Sequence, residues 1–525
     1  MAVINFYNLA NIGMVADASV NDVPIGGWND ALNVRFRNNR IEQRLGYAQI
    51  LNGQKCKPMY AVAVPSLSGT DDHILYCSSA SVYYYGPEST ASQSTTHVDI
   101  TGTTASYSAS IANDWTGCVL GGVAVLNNRR DPPQSWVFPP AHTTALVNLP
   151  NWTATGRCSV MRSYLQFLVA MDITRNGTRY PYMVKWSSVA DPGSTPDSWN
   201  ETDPTELCGE INMLDSVGSS GFVIDGGTLR DQFIIYMENA IWAMSFTGGL
   251  DVFAFQKLFT GYGLMARNCF CQVEDKHFFV GQDSCYIHNG AEITDLMEGR
   301  IRQWFATNLH KSYRNRTYVV HNPLMKEVRV HFVATGSGTI PDKALIFNYG
   351  NGTWTVHSLP LPSPYAFLVG NSSDTTQQPE QRLFLCAYSA SMMCVMDSGY
   401  IDGSSGTYRC YAETERLPLG GQTLDGQPKP GFTGVYNINW VYPRVDMVTK
   451  VSGAAGELSI YLNPTMRPEE TASWAGPYAF NPLIDSRIPC RLQGRYLGVR
   501  FESSAISTGW SVDGFAVEIE PVGKY

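Results

Sequence analysis

The feature that constrains this chain most is the form of its apolar runs: short, alternating with polar residues, and each bounded by Gly, Pro, Asn, Asp or Ser. A period of two is the signature of strands with one buried face, and such punctuation marks the turns between them. The runs also recur. Strand-rich units begin near Ile74, Gly121, Tyr164, Phe233, His277, Val328 and Leu383, at spacings of about 44 to 55 residues with one longer gap of about 70. Four-stranded propeller blades repeat at roughly 40 to 50 residues. HILYCSSASVYYYG from His73, QFIIYMENAIWAMSFTGG from Gln232 and HFFVGQDSCYIHNG from His277 share one local plan, a strand, a tight polar turn and an aromatic strand. The reading is an all-β chain with a β-propeller of about seven blades, and stacked β-sandwiches are the competing architecture.

The remaining sequence divides the 525 residues into three parts. Residues 1–60 are irregular, an arm or a closing strand with a hairpin expected around Asn38-Asn39. Residues 61–414 hold the propeller. Residues 415–525 open with the turn-rich ERLPLGGQTLDGQPKPGFTG and continue in longer strands, which suits a C-terminal β-sandwich-like domain. One short helical insertion is predicted from Met297, because Ile301, Trp304, Phe305 and Leu309 recur at helical spacing over about three turns. A second turn-rich loop runs from Asp191 to Glu206.

Charged residues make up 16% of the chain and aromatics 12%, which excludes disorder and coiled coil. The longest clean apolar runs are about five residues, far short of the roughly 18 that a spanning helix needs, so no membrane-spanning segment is expected. The first twenty residues hold no Lys or Arg and no continuous apolar stretch, giving the expectation of no targeting signal. The twelve cysteines, scattered from Cys56 to Cys490, read as reduced core residues. A balance of 37 basic to 46 acidic side chains, −9 overall, gives no general attraction for nucleic acid.

Candidate chemistry is sparse. Cys269, Cys271, His277, Cys285 and His288 fall within twenty residues and are a ligand set zinc prefers, yet alternation equally buries them in a blade core. Asp172, Asp225 and Asp231 are the acids to weigh for glycosidase chemistry and read more simply as turn and strand-end residues. No G-x-S-x-G elbow is present, and His321 and His331 lie on strands without a catalytic setting. Neither cofactor, metal nor catalytic set is expected. The basic residues Arg35, Arg37, Arg40 and Arg44 cluster with Phe36 and Tyr47 interleaved, and on a strand Arg35 and Arg37 would project from one face as a short stripe suited to phosphate or to an acidic neighbour.

Several segments carry a family resemblance. GGWNDALNVRFRNNRIEQRLGY from Gly26 resembles the N-terminal signature of short-tailed bacteriophage tail-nozzle or tail-hub proteins, the group that includes packaged-DNA stabilisation proteins. DWTGCVLGGVAVLNNRRDPPQSW from Asp114, VKWSSVADPGSTPDSWNETDPTELCGEI from Val184, ALIFNYGNGTWTVHSLP from Ala344 and GRYLGVRFESSAISTGWSVDGFAVEIEPVGKY from Gly494 extend it over most of the chain. The chain departs from the pattern at Arg44-Leu45-Gly46, where a Pro or small residue often precedes the Gly.

The resemblance implies a non-enzymatic virion protein of the tail, assembled in the host cytoplasm as a homo-hexameric ring below the portal and adaptor rings. Such a ring encloses the DNA exit channel, retains packaged DNA, touches the exiting double-stranded genome and docks tail fibres or tailspikes. Interface positions expected on this reading are Arg35, Arg37, Arg40 and Arg44 in the hairpin, Asp191 and Trp199 in the first loop, and Arg416 and Lys429 in the second. The rival is a virion-associated propeller protein that binds or cleaves host surface glycans.

Overall fold

A computed structural model describes all residues except 1, 52–53, 66–71, 87–96, 103–106, 138–143, 204, 215–219, 250, 372–379, 404–405, 421–433, 448–456, 468, 505–508 and 525. The chain is an all-β, seven-bladed propeller joined to a β-sandwich. The blades span residues 60–99, 116–148, 157–212, 223–260, 270–295, 318–358 and 366–396, and are numbered 1 to 7. Blades 1 to 6 are antiparallel four-stranded meanders contiguous in sequence. Blade 7 has three contiguous strands, and its fourth, outermost strand is Tyr47–Leu51, paired antiparallel with Met392–Met396. Strand Ala366–Asn371 of blade 7 meets Tyr60–Val64 of blade 1, so the N-terminal strand locks the ring where it closes.

The seven units read from sequence fall at or beside the second strands of the seven blades, among them His73–Cys77, Gln232–Met237 and Lys276–Val280. These strands are the most apolar because neighbouring blades cover both their faces; Phe233 to Met237 are all fully buried. The first strands line the axis instead and carry small or polar residues, as in Val223–Leu229 with its sequence VIDGGTL. Each unit as read therefore begins one strand late.

The sandwich draws on both ends of the chain. Its long strand Trp510–Lys524 pairs with Gly434–Met447 on one edge. On the other it takes Ala2–Tyr7 and the tip of the hairpin Val34–Arg37/Arg40–Gln43. Asn38 and Asn39 hold φ of 52° and 61°, the left-handed pair that a tight two-residue hairpin requires. Ala2–Tyr7 and the hairpin Val34–Gln43 are thus structural members of the sandwich. The boundary expected at residue 415 falls inside strand Cys410–Pro418, which pairs with Tyr496–Ser503 in the same sandwich. Asp30–Leu32 bridges this sheet to the outer strand of blade 6, through Val356 opposite Leu32, making one nine-stranded sheet.

The predicted helix is present but shorter: Arg302–Asn308 is about two turns, between blades 5 and 6. Residues 297–301 do not join it. Asp295 caps the turn at Met297 and Glu298, and Asp17 accepts from the Gln303 and Trp304 amides at the helix start. No helix among the described residues is long and apolar enough to cross a membrane.

Candidate functional site

In each meander the first strand runs away from one end of the axis, and the loop before it and the second-to-third loop lie together at that end. At this end Asn113, ahead of the first strand of blade 2, reaches across the axis. Its amide donates to the carbonyls of Thr317 (3.0 Å) and Asn315 (3.1 Å), which precede blade 6, with the Arg267 carbonyl ahead of blade 5 at 3.4 Å. Deeper in, Arg162 of blade 3 donates bidentately to Asp225 of blade 4 (2.9 and 2.8 Å), to Asn268 Oδ1 ahead of blade 5 (2.9 Å) and to the Gly117 carbonyl of blade 2 (3.2 Å). Four blades are tied by one guanidinium, and Asp225 also accepts the Asn268 and Gly226 amides.

A cavity of about 310 Å³ remains on the axis, lined by Cys118, Ser163, Asn268, Phe270 and Tyr365 among others. Its lining holds no histidine. Burial pushes the Cys118 thiol up to about 12, outweighing Arg162, so it is not a thiolate at neutral pH. Bidentate pairing absorbs Arg162 and Asp225 alike. Asp172, the other acid weighed for hydrolysis, is likewise held by Arg179 through two 2.7 Å bonds, and Asp231 offers its carbonyl to the Tyr164 hydroxyl. Asn113 and Arg162 escaped the sequence reading because their partners lie 45 to 204 residues away.

The cysteine and histidine cluster resolves into a relay between blades 4 and 5. His277 Nε2 is 2.8 Å from the Thr228 carbonyl, an acceptor only, so this nitrogen carries the proton. Nδ1 then accepts from the Tyr236 hydroxyl at 3.0 Å. The same hydroxyl oxygen accepts from His288 Nε2 at 2.7 Å, and His288 Nδ1 accepts the Gly290 amide at 3.2 Å. Every link has one donor and one acceptor with both rings neutral. Burial pulls His277 down to about 4, and burial with the His277 charge pulls His288 down to about 3. Cys269 Sγ lies 3.0 Å from the Thr317 carbonyl, and burial pushes its thiol up.

The expected interface arginines divide sharply. Arg35 and Arg37 share the strand face turned toward blade 6, as alternation requires. Arg35 is buried there, paired with Glu327 at 2.6 Å and Asp397 at 2.5 Å, while Arg329 pairs with the same two acids. Burial alone would raise the Asp397 carboxyl, but Arg329 and Arg35 outweigh it and hold it well below the usual range. Arg44 is also buried, bidentate to Asp402 (3.1 and 2.7 Å) and 3.7 Å above the Tyr408 ring. These two side chains hold the sandwich to blades 6 and 7 and are not presented to a partner. Arg37 pairs with Glu42 at 3.2 Å, and Arg40 is exposed, 4.0 Å from Asp446.

Asp191 is exposed in its loop, whereas Trp199 is buried edge-on against Trp152 at 4.7 Å. Arg416 is buried and donates to the carbonyls of Glu415 and Glu470. Lys429 lies outside the described residues.

Exposed apolar side chains gather on two flanks. At the Asn113 end of blades 3 and 4 stand Tyr180, Leu214 and Phe222, 41%, 53% and 37% exposed, with Tyr182 and Arg179 against the Phe222 ring. On the sandwich stand Tyr7 under Arg444, a groove of about 410 Å³ beside it, and Leu483 and Ile484 adjoining the groove's Pro482 and Asp485.

No protein-family model matches the chain, and no curated protein matches it. Among solved structures it is similar to a protein from Lactobacillus plantarum (TM-score 0.38, 10% identity, 63% of this chain and 96% of that one). It is also similar to the N-terminal domain of Nup159 (0.36, 9%, 67% and 94%). A third is an exo-beta-1,3-galactanase from Phanerochaete chrysosporium (0.27, 7%, 80% and 98%). At these scores nothing about ligands or partners transfers to this chain.

Proposed function

We propose that this chain is a structural subunit of a short-tailed phage tail, a nozzle or hub protein that works by closing a ring around the DNA exit channel. The observation that supports it most is the pair of unlike apolar flanks. In a seven-bladed wheel, blade 3 lies across the axis from the junction of blades 6 and 7, where the sandwich is docked. The Tyr180–Leu214–Phe222 patch on blades 3 and 4 and the Tyr7–Ile484 patch on the sandwich are therefore separate surfaces of different composition. Two different surfaces are what a head-to-tail, ring-forming protomer needs, while a two-fold dimer uses one surface twice. The sequence resemblance supplies the identity of the ring. The bridged propeller axis is compatible with it, because DNA would pass through the ring of subunits and not through a propeller.

Portal-adaptor proteins above and fibres or tailspikes at the side are the partners this reading assigns. The test is the mass of the chain, alone and mixed with its genomic neighbours, against six times 57.9 kDa. Leu214→Glu, at a side chain 53% exposed, is expected to abolish the ring while leaving the melting temperature unchanged. A chain that stays monomeric with every virion neighbour, yet binds or cleaves polysaccharide, would replace this reading with the glycan one.

A further inference from the structure

The end of the propeller bridged by Asn113 also carries a concentration of arginine that no part of the ring reading uses. The second-to-third loop of blade 2 has the sequence Asn127-Asn128-Arg129-Arg130-Asp131. Its two asparagines fold it: Asn128 Oδ1 accepts the amides of Arg130 (3.1 Å) and Asp131 (2.8 Å), and Asn128 Nδ2 donates to Asp131 Oδ2 at 2.6 Å. Asn127 Nδ2 anchors the loop to the Cys158 carbonyl of blade 3 at 3.1 Å. Arg129 sits at φ 66°, so the loop turns sharply and presents Arg129 and Arg130 as neighbours. Arg157, the first residue of blade 3, faces them across a cavity of about 510 Å³ lined by Ser108, Asp114, Arg129, Arg130, Asp131 and Arg157.

Charge here is not balanced. Asp114 Oδ2 is filled by the Ser110 amide, the Ser110 hydroxyl and Arg130 Nε, each at 2.9 Å. Arg267 lies behind it, its nearest guanidinium nitrogen 3.7 Å from Asp114 Oδ1, and donates to the Ser159 carbonyl at 3.2 Å. Four arginines (129, 130, 157 and 267) against two aspartates (114 and 131) leave two positive charges, on a chain that carries −9 overall. Among the described residues Arg129 and Arg157 make no ion pair. Burial and the neighbouring Arg129 pull Arg267 down to about 10, against the opposing pull of Asp114, Asp225 and Asp172, the last two of which are already paired with Arg162 and Arg179.

We propose that this cavity is a phosphate-binding site, with Arg129 and Arg157 closing on the oxyanion and Arg130 and Arg267 behind them. Planar guanidinium forks match the oxygens of phosphate, and a loop already folded by its asparagines loses little freedom on binding. The proposal does not depend on ring assembly. The phosphate can be free or borne on a nucleic-acid backbone, and the test separates the two.

The full chain is titrated by calorimetry with inorganic phosphate, and separately with a short DNA duplex, in low-salt buffer. Arg129→Gln with Arg157→Gln is expected to weaken binding about tenfold or more. The melting temperature should not change, since both side chains are exposed. Phosphate binding without competition from the duplex assigns a free phosphate, and competition assigns a backbone phosphate. Absence of binding in both titrations would overturn the site. So would equal binding by the double variant, or equal weakening by Arg40→Gln, which removes an exposed arginine on the sandwich.

Discussion

At the scale of single residues, the polar groups that look reactive in the sequence are fasteners. The Thr228–His277–Tyr236–His288–Gly290 relay works only with neutral rings, and this fixes a pH dependence. The folded His277 value of about 4 lies below the ordinary 6.5, so its contribution is whole above pH 6.5 and drains away as pH falls toward 4. By pH 5 the loss from His277 alone is about 2 kcal/mol. Urea midpoints measured from pH 7.5 to 5 should fall accordingly. Tyr236→Phe, which leaves a ring nitrogen on each histidine without its partner, should cost about 1–3 kcal/mol at pH 7.5. Arg35→Met is a harsher change. It leaves Glu327 and Asp397 buried with Arg329 as the one cation between them, Asn322 still donating to Asp397, at an expected cost of about 3–5 kcal/mol, whereas Arg40→Glu should stay within about 0.5 kcal/mol. Thermal melts of the two variants separate a structural arginine from a surface one within the same hairpin.

Among elements, legibility follows burial. The second strands announced all seven blades, because only a strand covered on both faces is a dense apolar run such as Phe233 to Met237. First strands along the axis were illegible for the opposite reason: Gly226 and Gly227 abut Phe233 and Phe270, and an axis has room for little else. The hairpin around Asn38-Asn39 was readable since its turn is local. The burial of Arg35 and Arg44 was not, because Glu327, Asp397 and Asp402 stand 292 to 362 residues away. Nothing local announced it: Val34 and Phe36 share the strand face opposite to Arg35, so they mark one buried face and not the one that carries the arginine. Removing residues 1–51 should expose the Met392–Met396 edge and strip the sandwich sheets of four strands, Ala2–Tyr7, Asp30–Leu32, Val34–Arg37 and Arg40–Gln43. The expected outcome is loss of the single cooperative melting transition, read by calorimetry.

For the whole molecule, the sandwich and the propeller are one mechanical body. The Arg35–Glu327–Asp397–Arg329 group and the Arg44–Asp402 pair clamp the sandwich against blades 6 and 7, and the nine-stranded sheet runs from one part into the other. A ring built from such bodies would transmit load from the sandwich flank of one subunit to the blade 3 flank of the next without a hinge. Cross-linking of the assembled ring should join the neighbourhood of Ile484 to that of Phe222 between subunits and never Phe222 to Phe222. A symmetric contact at either flank would contradict head-to-tail closure.

The strand Tyr47–Leu51 has a consequence for how the chain is made. It leaves the ribosome before any blade, yet its partner Met392–Met396 is synthesised some 340 residues later, and Ala2–Tyr7 must wait for Trp510–Lys524. At roughly 5–20 residues per second, the earliest segments stay unpaired for about 20 seconds to more than a minute. The nascent chain therefore carries open strand edges throughout its own synthesis, and is exposed to pairing with another nascent copy before it can pair with itself. Dilute nascent chains should favour the closed propeller and crowded ones the tangle, and slower elongation should lengthen the exposure.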